Sequence, residues 1–167
     1  MEATELPVNA DFGHGFGADA DGVAAAVTRC VATGVAALSV EDATGEAARP
    51  LFELSEAVAR LRAARLAIDA TGEDVMLVGR AECFLTGHPD PLAESLRRIA
   101  AYAEAGADVL YVPGVVRPDD IAAVVQVASP LPVNLLVARP IGLTLEEIAA
   151  LGVRRVSLGG ALAAVAW

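Results

Sequence analysis

The sequence predicts an α/β protein whose parallel sheet is of the (β/α)8-barrel type but incomplete, with about six βα units in one domain over residues 1–167. Three observations predict it. A helical pattern, a small residue with glycine, and a short β-rich run recur at Ala32-Thr33-Gly34, Ala70-Thr71-Gly72, Glu104-Ala105-Gly106 and Ala150-Leu151-Gly152. Glycine just past a helix end is the residue that takes the left-handed conformation, and the next strand follows within a few residues. The β-rich runs are continuously apolar rather than alternating, as suits strands covered on both faces. Charged residues also end several different runs, the arrangement of a barrel rather than a dinucleotide fold, and no Gly-x-Gly-x-x-Gly opens a helix after a strand.

Taken in order, the strands are expected over 7–11, 35–41, 74–80, 108–113, 132–137 and 153–158. Helices are expected near 20–33, 50–70, 90–105, 118–128 and 144–151, with a final helix after Gly159-Gly160. Start signals support several of them. Asp19 or Asp21 precedes the first, Asp90-Pro91 places proline at a first helical position, and Thr144 has Glu146 and Glu147 behind it. Arg60, Arg62 and Arg65 recur along helix 50–70, most simply as a solvated face.

Composition narrows the function. The chain has 167 residues, 55% hydrophobic and 20% charged, which suits a folded core. The net charge of −10 argues against a nucleic-acid surface. No apolar run reaches the ~20 residues of a spanning helix, and the start lacks a basic leader, so a cytoplasmic protein without a membrane partner is expected. All twelve basic residues are arginine, which excludes a Schiff-base or P-loop lysine within this chain. His14 and His88 are the only basic side chains that could accept a proton near neutrality. Cys30 falls mid-helix as packing, Cys83 follows the 74–80 strand, and neither has metal spacing.

The chemistry gathers at strand ends. Pro7 to Ala10 delivers Asp11 into a loop with Gly13, Gly15 and Gly17, whose glycines leave room beside the carboxylate for a ligand. The second run ends at Glu41-Asp42 and the third at Arg80, with Glu82 two residues on. If these strands are parallel neighbours, Asp11, Glu41 and Arg80 meet at one edge, suggesting a divalent metal with an anionic substrate. Plainer readings stand beside these: a turn-forming Asp11, a helix-start or surface pair at Glu41-Asp42, and Glu82 as a structural partner of Arg80. His14 lies near the site on any reading, whereas His88 is an ordinary loop residue.

With these residues aligned, the chain resembles the isocitrate lyase / phosphoenolpyruvate mutase superfamily, nearest its small phosphonomutase-like and carboxyvinyl-carboxyphosphonate phosphorylmutase-like members. The marks are Asp11…Gly15-Phe16-Gly17, Val40-Glu41-Asp42, Gly79-Arg80-Ala81-Glu82-Cys83-Phe84, Glu104 to Gly114, and Leu151 to Gly159. The resemblance implies a barrel that binds Mg2+ or Mn2+ with a small 2-oxo or 2-hydroxy carboxylic acid. Such proteins make or break a C–C or P–C bond through an enolate; for this chain a C–C lyase is implied. Asp11 would be the principal metal ligand, with Glu41 holding the ion through water. Arg80 would clamp the substrate carboxylate, with Glu82 as a catalytic acid behind it. Gly15 is expected to line the substrate pocket, and His14, from its place near the site rather than from the resemblance, is a candidate catalytic side chain.

The departures carry expectations too. The family's second acid, two residues after the first, is Gly13 here. The catalytic Lys-Lys-Cys-Gly-His-type loop is replaced by Asp42 to Arg49, and the mutase gating loop is absent, so neither isocitrate cleavage nor phosphonomutase activity is expected. The chain resembles strands three to eight, without the first two βα units or the C-terminal helices. It is therefore expected to be a fragment or to be completed by another copy in a homo-oligomer. A non-catalytic remnant serving as scaffold is the alternative, and a phosphate-binding barrel using Gly159-Gly160 is a third.

Overall fold

The computed structural model of the chain describes residues 4–167. Its elements run β1 (Asn9–Asp11), α1 (Ala20–Val31), β2 (Ala37–Glu41), β3 (Ala43–Glu46), β4 (Arg49–Leu51), α2 (Leu54–Thr71), β5 (Met76–Arg80), α3 (Pro91–Glu104), β6 (Val109–Tyr111), α4 (Pro118–Ala128), β7 (Val133–Leu136), α5 (Leu145–Ala150), β8 (Arg155–Ser157) and α6 (Ala161–Ala166). Six strands form one sheet in the order β1-β2-β5-β6-β7-β8, every pair parallel. All six expected strands are present, β1, β2 and β5 shortened at their starts and β6, β7 and β8 at both ends.

The sheet curls. Residues from all six strands, including Asp11 on one outermost strand and Arg155 and Ser157 on the other, line a single cavity of about 120 Å³ on the concave face. The convex face carries the main core, because alternate residues of a strand point to opposite faces. Leu38, Leu77, Leu110 and Leu135 are 0–1% exposed and belong with Val23, Leu61, Ile68, Ile99 and Ile121 of the helices to one continuous cluster. Each such side chain contributes roughly 1.5–3 kcal/mol of burial free energy. A smaller cluster of Val78, Val109 and Tyr111 lies on the concave face, with Leu136 packed against it.

Helix ends follow their start signals. Asp19 Oδ1 accepts from the Gly22 amide at 2.9 Å, Asp90 caps α3 ahead of Pro91, and Thr144 and Glu147 cap each other's backbone reciprocally. The four glycines of the repeated phrase, Gly34, Gly72, Gly106 and Gly152, all have φ between 73° and 98°, as left-handed helix exits require.

Two expectations fail. Residues 50–53 do not start a helix: β3 and β4 form a separate antiparallel hairpin, and α2 begins at Leu54. Thr44 Oγ1 donates to the Arg49 carbonyl across the hairpin, and Pro50 sits in a short strand where no amide is needed. The arginines of α2 are not a solvated face either. Arg60 is 3% exposed, and Arg65 is half-buried against Asp69 and Asp108; only Arg62 is exposed. Among the described residues no helix is long and apolar enough to cross a membrane.

The start of α3 predicts an acid-labile component of stability. Glu94 accepts from Arg97 and Arg98, and the hydrogen bond from Arg97 leads in holding its carboxyl down at about 2. A lowered folded value stabilises above the ordinary 4.5 and is lost as pH falls toward about 2. Denaturant titrations across that window should show wild type losing stability that Glu94→Gln does not lose. Parallel curves for the two proteins would exclude this role.

Candidate active site

Parallel register brings the expected residues together. Asp11 pairs with Ser39, Glu41 with Arg80, and Arg80 with Tyr111, so the acids and the guanidinium stand at the carboxyl ends of adjacent strands. Arg80 Nη1 lies 3.2 Å from Asp11 Oδ2 and 3.3 Å from Glu41 Oε2, while Nε donates to Glu82 Oε1. The guanidinium rests 5.2 Å from the centre of the Tyr111 ring, a cation–π contact. Three carboxylates therefore share one cation.

Burial decides how these groups titrate. The Arg80 side chain is 16% exposed, Glu41 21% and Glu82 6%, whereas Asp11 is 72% exposed. Desolvation raises Glu41 and Glu82 above the ordinary carboxylate value, with Arg80 as the main opposing influence on each. Burial is also the largest influence on Arg80 and pulls it down, but Glu82, Glu41 and Asp11 together outweigh it and the net shift is upward. The guanidinium stays charged.

The loop after β1 is fastened from below. Arg60 on α2 donates to the carbonyls of His14, Gly17 and Ala18, with its guanidinium 4.1 Å from the centre of the Phe52 ring. His14 sits edge-on to the same ring at 5.9 Å and is close enough to lower Glu41, and its Nδ1 is buried with no hydrogen-bond partner among the described residues. Gly15 is buried against α1, where an added Cβ would meet Val23 at 2.9 Å. At Gly13 an added Cβ would meet nothing within 4 Å, so the place of the family's second acid is open space.

Sequence reasoning missed Tyr111 and Asn134, and it weighed Asp42 only as one of a pair with Glu41. Asp42 is neither a surface residue nor a helix start: it is 2% exposed and bonds to Arg98, Tyr102 and the Glu82 amide. Strand alternation was the available signal, since Glu41 and Asp42 must point to opposite faces. Tyr111 and Asn134 line the concave cavity, and the Asn134 amide donates to Ser157 at 3.0 Å while its Oδ1 has no partner among the described residues. Cys83 is fully buried and its thiol is pushed up to about 11, chiefly by burial, so it is inert near neutrality. Cys30 is also free, and the His88 ring meets the backbone of Asp90.

The donor set suits a hard divalent cation. Mg2+ takes oxygen ligands, keeps several waters and needs only one or two protein carboxylates. Asp11 and Glu41 supply such oxygens within 3.3 Å of one guanidinium nitrogen, and the cluster has more negative than positive groups. Among the described residues no three His, Cys, Asp or Glu side chains stand together as a ready-made metal cage.

A curled parallel sheet that gathers acids and an arginine at its carboxyl ends has the architecture of barrel-type active sites. The chain matches the phosphoenolpyruvate phosphomutase family over residues 1–167 and belongs to that family, within the PEP mutase/isocitrate lyase superfamily. It is 36% identical over 118 residues to oxaloacetate decarboxylase 2 of Pseudomonas fluorescens (strain Pf0-1), covering 68% of this chain and 38% of that one. The crystal structure of a candidate lyase/mutase from Burkholderia cenocepacia J2315 superposes with a TM-score of 0.91 at 42% identity, over 96% of this chain and 58% of that one. Oxaloacetate acetylhydrolase in complex with its product oxalate superposes with a TM-score of 0.85 at 27% identity, over 99% of this chain and 57% of that one. The chain thus spans between 38% and 58% of the length of these three relatives.

Proposed function

We propose that this chain forms a partial (β/α)8-type domain, corresponding to strands three to eight, of a Mg2+-dependent lyase. The bond made or broken is a C–C bond next to a 2-oxo or 2-hydroxy carboxylate. The observation that carries the reading is the meeting of Asp11, Glu41 and Glu82 around Arg80 at the carboxyl edge of the sheet. The names of two relatives support it, since decarboxylation and acetylhydrolysis of oxaloacetate each break a C–C bond of a small 2-oxo dicarboxylate.

In this reading Asp11 would hold the metal directly and Glu41 through water. When bound, the metal supplies polarisation of the oxo group and charge stabilisation for the enolate. The chain's own residues do the rest. With Asp11 and Glu41 taken up by the metal, the Arg80 Nη1 that they hold here would turn with Nη2 to the substrate carboxylate, while Glu82 fixes the guanidinium by taking its Nε–H. Tyr111 backs the guanidinium from the cavity side. The Gly13–Gly17 loop would close over the substrate from the Asp11 side, and His14 would be the basic side chain that accepts or returns a proton. A homo-oligomer is the proposed working state.

Calorimetric titration of the chain with oxalate, with and without Mg2+, tests this reading on wild type and Asp11→Ala. Oxalate is a flat dicarboxylate of the shape of a pyruvate enolate. Binding that requires Mg2+ and weakens at least tenfold in Asp11→Ala is the expected result. A folded wild type that takes up no oxalate at any Mg2+ concentration would overturn it and leave the non-catalytic scaffold.

A further inference from the structure

Beneath the acid–arginine cluster lies a second charged group. Asp42, Arg98 and Tyr102 are 2%, 5% and 0% exposed. Every polar atom of Asp42 is engaged. Its amide donates to the Arg80 carbonyl at 3.3 Å, and its carbonyl accepts from the Phe52 amide at 2.9 Å. Oδ1 accepts from the Glu82 amide at 2.8 Å, and Oδ2 accepts from Arg98 Nη1 at 3.0 Å and from the Tyr102 hydroxyl. Arg98 Nη1 also donates to the Phe52 carbonyl at 3.0 Å, and Arg98 Nε donates to Glu94 at 2.6 Å.

A buried ion pair is a poor device for stability alone, because desolvation offsets most of the attraction and an apolar replacement often serves as well. What this one does is geometric. Its bonds land on the residues at either end of the Arg80-Ala81-Glu82 segment and on both backbone groups of Phe52. Phe52 in turn lies under Arg60, which holds the carbonyls of the loop after Asp11. Gly79 lets Tyr102 come this close, since an added Cβ there would meet the Tyr102 Cβ at 3.1 Å. The group thus ties together the strand ends that carry Asp11, Glu41 and Arg80.

We infer that Asp42 is the positioning residue of this site: held by Arg98 and Tyr102, it sets the backbone from Arg80 to Glu82 so that Glu82 aims the Arg80 guanidinium at the substrate carboxylate. The inference rests on the reading of Arg80 as the carboxylate clamp. Asp42 touches no substrate; it acts through Glu82. A displacement of the order of 1 Å at such a clamp is enough to cost a large factor in productive binding. Burial and the Asp42 charge keep the Tyr102 hydroxyl protonated far above neutrality, so it remains a donor to Oδ2 at working pH.

Two readouts on the full chain test this: hydrogen exchange at the Glu82 amide, and oxalate affinity in saturating Mg2+. Asp42→Asn turns an amide donor toward Arg98 and Tyr102, Tyr102→Phe removes one hydroxyl, and Ile148→Val in α5 is a core control away from the network. Asp42→Asn is expected to speed Glu82 exchange at least tenfold and weaken oxalate at least tenfold. Tyr102→Phe should move both the same way by about threefold, and Ile148→Val neither by more than twofold. Unchanged Glu82 protection in a folded Asp42→Asn would overturn the inference, as would lost protection with unchanged affinity. Should Asp42→Asn not fold, Tyr102→Phe with both readouts within 1.5-fold of wild type overturns it. A wild type that ignores oxalate sinks the functional reading and this inference with it, while the Glu82 amide still reports whether Asp42 holds the segment.

Discussion

Replacing Arg80 by methionine is expected to weaken oxalate binding by roughly 30-fold to more than 10³-fold, which corresponds to about 2–5 kcal/mol for removing one partner of a desolvated charge pair. Methionine keeps the stem of the side chain and discards the fork that faces Asp11, Glu41 and Glu82. Three carboxylates then share a pocket without a cation. Glu41 and Glu82 are already raised by burial, and Arg80 is the chief influence holding them down, so both move further up in the variant. A carboxyl raised in the folded state contributes stability that is present below its unfolded value and lost as pH rises through its folded value. Arg80→Met should therefore fall further below wild type in stability at pH 7 than near pH 4.5. Arg80→Lys restores the charge but not the two parallel donors, so it should recover stability while leaving oxalate weak. Calorimetry together with denaturant titration at the two pH values reads all of this, and oxalate binding within threefold of wild type in Arg80→Met would remove Arg80 from the site.

The same cluster shows what a sequence of this kind reveals and what it hides. Strands of a covered parallel sheet read as apolar runs, and the residue ending each run must stand at the carboxyl edge, so Asp11, Glu41 and Arg80 were legible before any coordinates. Their register pairing, Glu41 opposite Arg80, follows from adjacency of β2 and β5. The hairpin at 43–51 was not legible, because its strands have four and three residues, include a proline, and show no alternation. Arg60 was legible in principle. It falls beside Ala57, Leu61 and Ala64 on the stripe of α2 that is buried, but an arginine on an apolar stripe reads as solvated until its acceptors are known. Those acceptors are backbone carbonyls in a loop 42 to 46 residues earlier, and no local pattern announces them. Asp42 is the same case. Its partners Arg98 and Tyr102 are 56 and 60 residues away, and only tertiary packing brings them beneath it.

Gly17→Ala should be the most destabilising single-methyl addition in the loop that carries Asp11. A Cβ at residue 17 would stand 2.1 Å from the Val23 amide nitrogen and 2.4 Å from the Gly22 carbonyl carbon, both backbone atoms of the first turn of α1. That turn cannot retreat cheaply. Asp19 Oδ1 holds the Gly22 amide, and the Val23 amide donates to the Asp19 carbonyl at 3.0 Å. The loop must move instead, and it is tied by Arg60, whose donors reach the Gly17 and Ala18 carbonyls at 2.9 Å each. Forcing the loop outward gives up those bonds and leaves a buried guanidinium short of acceptors. The expected cost is about 3 kcal/mol or more, overpacking and lost hydrogen bonds together, or roughly 6–12 °C in Tm for a chain of this size. Gly13→Ala is the matched control: the methyl enters open space, and only the φ of 49° is strained, which costs about 1–2 kcal/mol. Thermal unfolding of the two variants separates the mechanisms, because close packing punishes residue 17 alone while a general need for glycine in the loop would punish both alike. Oxalate titration of Gly17→Ala adds the functional half. Displacing the loop carries its strand-end carboxylate with it, so Mg2+-dependent binding should weaken even at temperatures where the variant is folded. A Gly17→Ala protein that melts within 2 °C of wild type would mean that the loop is not wedged between α1 and Arg60.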